Sequence, residues 1–236
     1  RGLLFFSLLA TTTGNFLTNT TFRHLEIGQT LLGFQELPNL ALLGQKQALP
    51  TWYYPGWLGQ LLMTVGQQRF GFESINWLSI LLVGLTFGVV WRTIPLVRWL
   101  RYVTVIVFML VGQPLWQQAG PHLLAGLCLA VFLWLLESYR QGKKNLLWWT
   151  PVVSLIWVNS HGSAGLGFFF LLAYAFLFCF PLFPRVARIP RFLRFWVQWV
   201  VPSKEPAPIR RPIMSPTKWT SLILVNFVVS CLNPLG

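Results

Sequence analysis

The sequence predicts an all-α fold: a polytopic transmembrane helical bundle of about seven spans. Three observations predict it. Only 10% of the residues are charged and 55% are hydrophobic, whereas an ordinary soluble domain carries about a quarter charged residues. Apolar runs recur along the chain, separated by polar or basic breaks. Lysine and arginine collect in alternate breaks, the pattern that marks the cytoplasmic side of a membrane protein. The 13 tryptophans suit interfacial belts, where an amphipathic ring sits at headgroup level. The net charge of +13 does not indicate a nucleic-acid partner, because it is clustered between apolar runs.

Taken in order, Gly2 to about Leu17 is a first apolar segment, short for a full crossing of about 20 residues. Residues 18–75 form a long outside loop. Within it, apolar positions at Phe22, Leu25, Ile27, Leu31, Leu32 and Phe34 predict a short interfacial helix. The Asn15 to Thr21 stretch reads as a polar helix exit with Thr/Asn capping, and Asn19-Thr20-Thr21 also matches the N-glycosylation sequon. The aromatic cluster Trp52-Tyr53-Tyr54-Pro55-Gly56-Trp57 precedes a further short helix over Leu58 to Val65. Later spans are expected at Asn76 to Trp91, Tyr102 to Val111, His122 to Leu136, Leu146 to Val158, Gly165 to Phe183 and Trp219 to Leu232. The first of these carries Gly84-x-x-x-Gly88, a spacing that permits close helix approach. The Leu146 to Val158 run is short enough to suit a helix that stops partway and is shielded by its neighbours.

Arg92, Arg98 and Arg101 share one break, Arg140, Lys143 and Lys144 the next on that side, and residues 184–218 hold most of the rest. The N-terminus is therefore expected inside, with the first loop, the 112–121 turn, the 159–164 turn and Asn233-Pro234 outside. Arg188, Arg191 and Arg194 recur every three residues among apolar side chains, which fits a cytoplasmic amphipathic helix on anionic headgroups. Plain positive-inside signalling explains much of the same charge. The whole reads as one transmembrane domain over 1–236, cut from a longer chain. No cleavable signal peptide is expected.

The chain has three histidines, His24, His122 and His161, and all fall on the predicted outside face. A histidine titrates near neutral pH and can act as acid, base or hydrogen-bond donor to phosphate. His122, following Gly120-Pro121, reads as serving its own turn. For His24 and His161 a turn-capping role and a functional one both stay open. The stretch Trp157 to Gly167, with Asn159-Ser160-His161-Gly162-Ser163 at its centre, is either a tight turn or one wall of a site. All five acids are glutamates, and there is no aspartate. His24 and Glu26 alone do not make a zinc site, since three protein ligands are expected. Cys128, Cys179 and Cys231 are scattered through apolar runs and imply neither a disulfide framework nor a metal site. No Ser-His-acid order, P-loop or dinucleotide fingerprint occurs.

Four stretches resemble the GT-C superfamily of polytopic glycosyltransferases. They are Thr18-Asn19-Thr20-Thr21-Phe22-Arg23-His24-Leu25, Trp52 to Leu58, Trp157-Val158-Asn159-Ser160-His161-Gly162-Ser163, and Asn233-Pro234-Leu235-Gly236. They follow the family's order and sidedness. The resemblance implies a polyprenyl-phosphate-linked sugar at the outer membrane face. It implies phosphate or substrate binding by Arg23, His24, Trp52, Trp57, Asn159 and His161. The chain departs from the pattern where carboxylates are expected, at Thr18 and Thr20, and Pro55-Gly56 replaces a His-Glu pair. A threonine hydroxyl cannot hold a divalent cation or deprotonate a sugar as a carboxylate does.

Two readings follow. In the first, the chain is a non-catalytic membrane subunit built on the inherited bundle, with the lipid bilayer and other membrane subunits as partners and no cofactor or metal. In the alternative it is an active transferase, with Glu26 and His24 as catalytic residues and a divalent cation as a possible requirement.

Overall fold

A computed structural model describes residues 17–33, 56–94, 96–141, 146–179 and 214–232. Every regular element among them is helical. In chain order these are α1 (Asn19–Gly33), α2 (Trp57–Phe70), α3 (Glu73–Thr93), α4 (Arg98–Val111), the single turn α5 (Gln113–Trp116) and α6 (Pro121–Arg140). A 3-10 turn (Leu147–Trp149) leads into α7 (Thr150–Ser160), a second (Gly162–Ala164) leads into α8 (Gly165–Cys179), and α9 (Pro216–Ser230) ends the described chain. The expected segment 2–16, residues 34–55 and the basic stretch 180–213 lie outside the described residues, as do Asn233 and Pro234.

Local chemistry accounts for the helix ends. Thr18 caps α1: its hydroxyl accepts from the Thr21 backbone N–H at 3.4 Å. In return the Thr18 N–H donates to the Thr21 hydroxyl at 3.2 Å, in the manner of a capping box. The polar stretch from Thr18 is thus the entrance to α1, because Thr and Asn compete best for the orphan N–H groups of a first turn; what precedes Leu17 lies outside the described residues. Proline stands at the first or second position of α6, α7 and α9, where its missing N–H costs nothing. Gly71, at φ +77°, makes the left-handed turn between α2 and α3.

Helix α6 is the central element, packed against α2, α3, α7 and α8. One core joins α6 to α7, α8 and α9 through Phe132, Leu136, Trp157, Leu171 and Leu222, with the Tyr139 and Trp219 rings edge-to-face at 5.5 Å. A second core joins α3, α4 and α6 around Phe87, Val105, Met109 and Leu123, with Trp116 set against Phe87 at 5.4 Å. Two of these helices, α3 with 21 residues and α6 with 20, are long and apolar enough to cross a membrane by length and composition. Helix α7, with 11 residues, reaches only about 17 Å.

Gly88 of the Gly84-x-x-x-Gly88 pattern does not mark a close helix contact. A Cβ at Gly88 would meet open space. Close approach occurs elsewhere, where α1 crosses α2 and Gly28 lies against Thr64 and the Gln60 carbonyl, and where Gly59 lies on Pro121. Both are single glycines facing one bulky neighbour, a pattern without periodicity.

A buried polar clamp ties α7 to α9. Ser154 Oγ donates to Asn226 Oδ1 at 2.8 Å, and Asn226 Nδ2 donates to Thr150 Oγ1 at 3.1 Å. Asn226 is 1% exposed, so water cannot replace it. Asn226→Ala removes the acceptor of Ser154 and leaves Thr150 only its bond to the Leu147 carbonyl, and a loss of about 1–2 kcal/mol is expected. Chemical denaturation in detergent would measure it, and an unchanged midpoint would count against the clamp.

Candidate functional site

The three histidines arrive on separate elements: His24 on α1, His122 in the first turn of α6, and His161 between α7 and the turn that leads into α8. The fold brings them to one end of the bundle. Gly120 is the junction, since a Cβ there would touch the His122 ring and come within 3.5 Å of His24 Cδ2. The same end holds the start of α2, where Gly56 faces the Ser160 carbonyl and Gly59 faces Pro121.

Each ring is held by a specific bond. Gln60 Nε2 donates to His24 Nδ1 at 3.2 Å, which leaves the His24 proton on Nε2. His122 Nε2 donates to the Leu115 carbonyl at 2.9 Å, so this histidine does serve its own turn. His161 Nδ1 accepts from the Ser163 N–H at 3.2 Å and from the Ser163 hydroxyl at 2.9 Å. That hydroxyl in turn accepts from the Trp157 indole N–H at 3.1 Å. The relay from Trp157 through Ser163 to His161 sets the tautomer with the proton on Nε2. The 159–164 stretch is therefore the last residues of α7 followed by a 3-10 turn, Gly162–Ala164, capped by His161, which also presents an imidazole N–H.

Trp57 and Asn159 meet: the indole N–H donates to Asn159 Oδ1 at 2.8 Å, while Asn159 Nδ2 is anchored to the Leu155 carbonyl at 2.8 Å. Arg23 is exposed beside His24. Glu26 stands on the exposed part of α1, and two residues along a helix turn a side chain by about 200° away from His24. Trp52 lies outside the described residues. Thr18 and Thr20 share a hydrogen bond at 2.8 Å, and the Thr21 hydroxyl donates to the Ala119 carbonyl at 3.0 Å. Among the described residues no group of three His, Cys, Asp or Glu side chains is placed to hold a metal ion.

Two residues that sequence reasoning passed over belong here. Gln60 is 5% exposed, and its Oε1 has no hydrogen-bond partner among the described residues. A glutamine inside the apolar run after Trp57 was the available signal. Ser163 gives no separate signal in the sequence, because its pairing with Trp157 depends on the turn geometry.

Burial lowers the His24 pKa to about 4, helped by the positive charges of His122, Arg23 and His161. Burial, then the charge on His122, lowers His161 as well. The folded state therefore prefers neutral His24, while the unfolded chain holds it near its ordinary value of about 6.5. The resulting stability is complete above about pH 6.5 and is lost as pH falls toward about 4. Thermal unfolding followed by tryptophan fluorescence should show the midpoint dropping across that window, and His24→Gln should flatten the drop.

No family model, curated protein or solved structure matches this chain.

Proposed function

We propose that the chain is a non-catalytic, multi-pass membrane subunit on a GT-C-like scaffold. Its N-terminus is cytoplasmic and its histidine end faces outside. It packs within a larger membrane assembly. One observation carries the non-catalytic part: the carboxylate nearest His24 in sequence, Glu26, stands on the exposed part of α1. Transfer of a sugar to an acceptor hydroxyl needs a base at the reacting atoms to take the acceptor's proton, and a carboxylate turned about 200° around the helix from His24 is directed away from the histidine end.

The membrane part is supported by the length and composition of α3 and α6. It is supported too by an exposed apolar ridge on α3, where Trp77, Leu81 and Leu85 follow one another at one-turn spacing. Such a ridge suits lipid tails or a neighbouring subunit.

A second reading, an active transferase using a polyprenyl-phosphate sugar, draws support from the meeting of Trp57 with Asn159 beside His24 and His161. Membranes carrying the full chain, supplied with a radiolabelled polyprenyl-phosphate sugar, separate the two. The subunit reading expects no transfer above membranes lacking the chain, and migration of the chain in a larger complex on a native gel. Transfer that disappears in Glu26→Ala would overturn it.

A further inference from the structure

We propose that Arg92, Arg98 and Arg101, framed by Trp91, Trp99 and Tyr102, form a docking surface for anionic phospholipid headgroups at the α3–α4 turn. The inference rests on the membrane part of the proposed function and deepens it.

The fold gathers the three arginines. Arg92 stands in the last turn of α3 and Arg98 opens α4, so only residues 93–97 separate them. Arg98 and Arg101 are three positions apart on α4, which puts them on one face. The Trp91 and Tyr102 rings meet with centroids 4.5 Å apart and fix the end of α3 against the start of α4. Arg101 Nε donates to the Leu96 carbonyl at 2.6 Å, which pins that guanidinium to the turn. Among the described residues no hydrogen bond or ion pair engages its Nη groups, or the guanidinium of Arg92 or Arg98. Arg92 and Arg98 are exposed.

Charge decides what this surface attracts. The carboxylates among the described residues are Glu26, Glu73 and Glu137. Glu73 opens α3 and so lies at the opposite end of a 21-residue helix from Arg92, about 28 Å along the axis. Glu26 follows Leu25, which packs with Ile75 near that same start of α3. Glu137 is taken up by Arg140, whose Nε and Nη2 both donate to it, and by Gln141. A charge 28 Å away is screened beyond use in ordinary salt, where the Debye length is about 8–10 Å. Among the described residues the three arginines are therefore unopposed, and an anion complements them.

The apolar surroundings make that anion a lipid. Trp99 is 56% exposed and Tyr102 45%. Such rings suit the headgroup level of a bilayer, where the ring body meets acyl chains and the polar tip meets water. Val103, Ile106 and Leu110 continue from Trp99 along α4 at one-turn spacing, all exposed. A phosphodiester accepts bidentate bonds from a guanidinium. One phospholipid thus satisfies the arginines with its headgroup and the ridge with its tail, whereas a free phosphate uses the arginines alone.

The full chain, reconstituted in phosphatidylcholine vesicles with a minor fraction of phosphatidylglycerol, tests this. Bromine is placed on the acyl chains of one lipid or the other. Quenching of Trp99 is read as the difference between wild type and Trp99→Phe. Phosphatidylglycerol should be preferred at Trp99 by at least about fivefold, the factor for one basic residue at an anionic surface. High salt should shrink the preference. Arg92→Gln, Arg98→Gln and Arg101→Gln together, read in the same way, should bring the two lipids to parity. No preference in wild type, or a preference that survives the triple substitution, would overturn the proposal. So would a preference erased by inorganic phosphate but not by chloride of equal ionic strength, which marks a site for free phosphate. The salt and phosphate series need no arginine variant, so the test stands even if the triple substitution fails to fold. A chain that carbonate strips from the vesicles overturns the membrane reading itself. A chain that stays in them without lipid preference overturns this surface alone.

Discussion

Trp157→Ala is expected to lower stability by about 3–5 kcal/mol, the range for emptying a large buried aromatic site. Trp157 is 1% exposed and packs edge-to-face on Phe132 at 6.2 Å. Gly167 sits against its ring so closely that a Cβ would lie 2.8 Å from Cζ3. The cavity would therefore open between α6, α7 and the start of α8. The indole also donates to Ser163, so the loss reaches the site. Without that donor the Ser163 hydroxyl is free to rotate, and the His161 ring keeps only the Ser163 backbone N–H to set its tautomer. Trp157→Phe isolates this second effect, retaining most of the volume and removing the N–H. Denaturation midpoints for the two variants, with the NMR shifts of the His161 ring, would measure both. An alanine variant as stable as wild type would show that the α6–α7 core is not the one described.

Gly59→Val should act differently, by forcing helices apart. A Cβ at Gly59 would lie 2.8 Å from Pro121 Cβ and 2.9 Å from Pro121 Cα. Pro121 begins the central helix and cannot yield as a flexible side-chain tip does. The expected cost is about 1–3 kcal/mol, typical of overpacking. Moving α2 away from α6 would also disturb its bonds to other neighbours, Gln60 to His24 on α1 and Trp57 to Asn159 on α7. The readout is the pH dependence of unfolding. Gly59→Val should flatten the loss of stability between about pH 6.5 and about pH 4, because a less buried His24 returns toward its ordinary pKa. A variant that keeps the full wild-type pH dependence would show that α2 does not bury His24.

Helices were legible where apolar periodicity and caps agreed. The run starting at Asn76 became α3 with three residues added at the front, and Pro121 announced α6 by its own chemistry. A helix expected from Phe22 onward exists and begins at Asn19, because Thr18 and Thr21 satisfy each other's first-turn N–H groups. Close packing was not legible: Gly88 faces open space, while tight contacts use isolated Gly28 and Gly59, whose roles depend on which helix lies opposite. At the candidate site the histidines were found by their scarcity and their shared side. Glu26 entered as a neighbour in sequence, yet helical geometry turns it away from His24. Gln60 and Asn226 were missed because a single polar residue in an apolar run does not reveal its partner. Each is bonded to a residue at least 36 positions away.

The central claim is a membrane bundle whose histidine end lies outside. Impermeant maleimide labelling of intact cells tests it most directly, using single cysteines at exposed positions after Cys128, Cys179 and Cys231 are changed to serine. Glu26→Cys should label without permeabilisation. Lys218→Cys, at the start of α9, should label only once the membrane is opened. Labelling of Lys218→Cys on intact cells while Glu26→Cys stays protected would contradict the account.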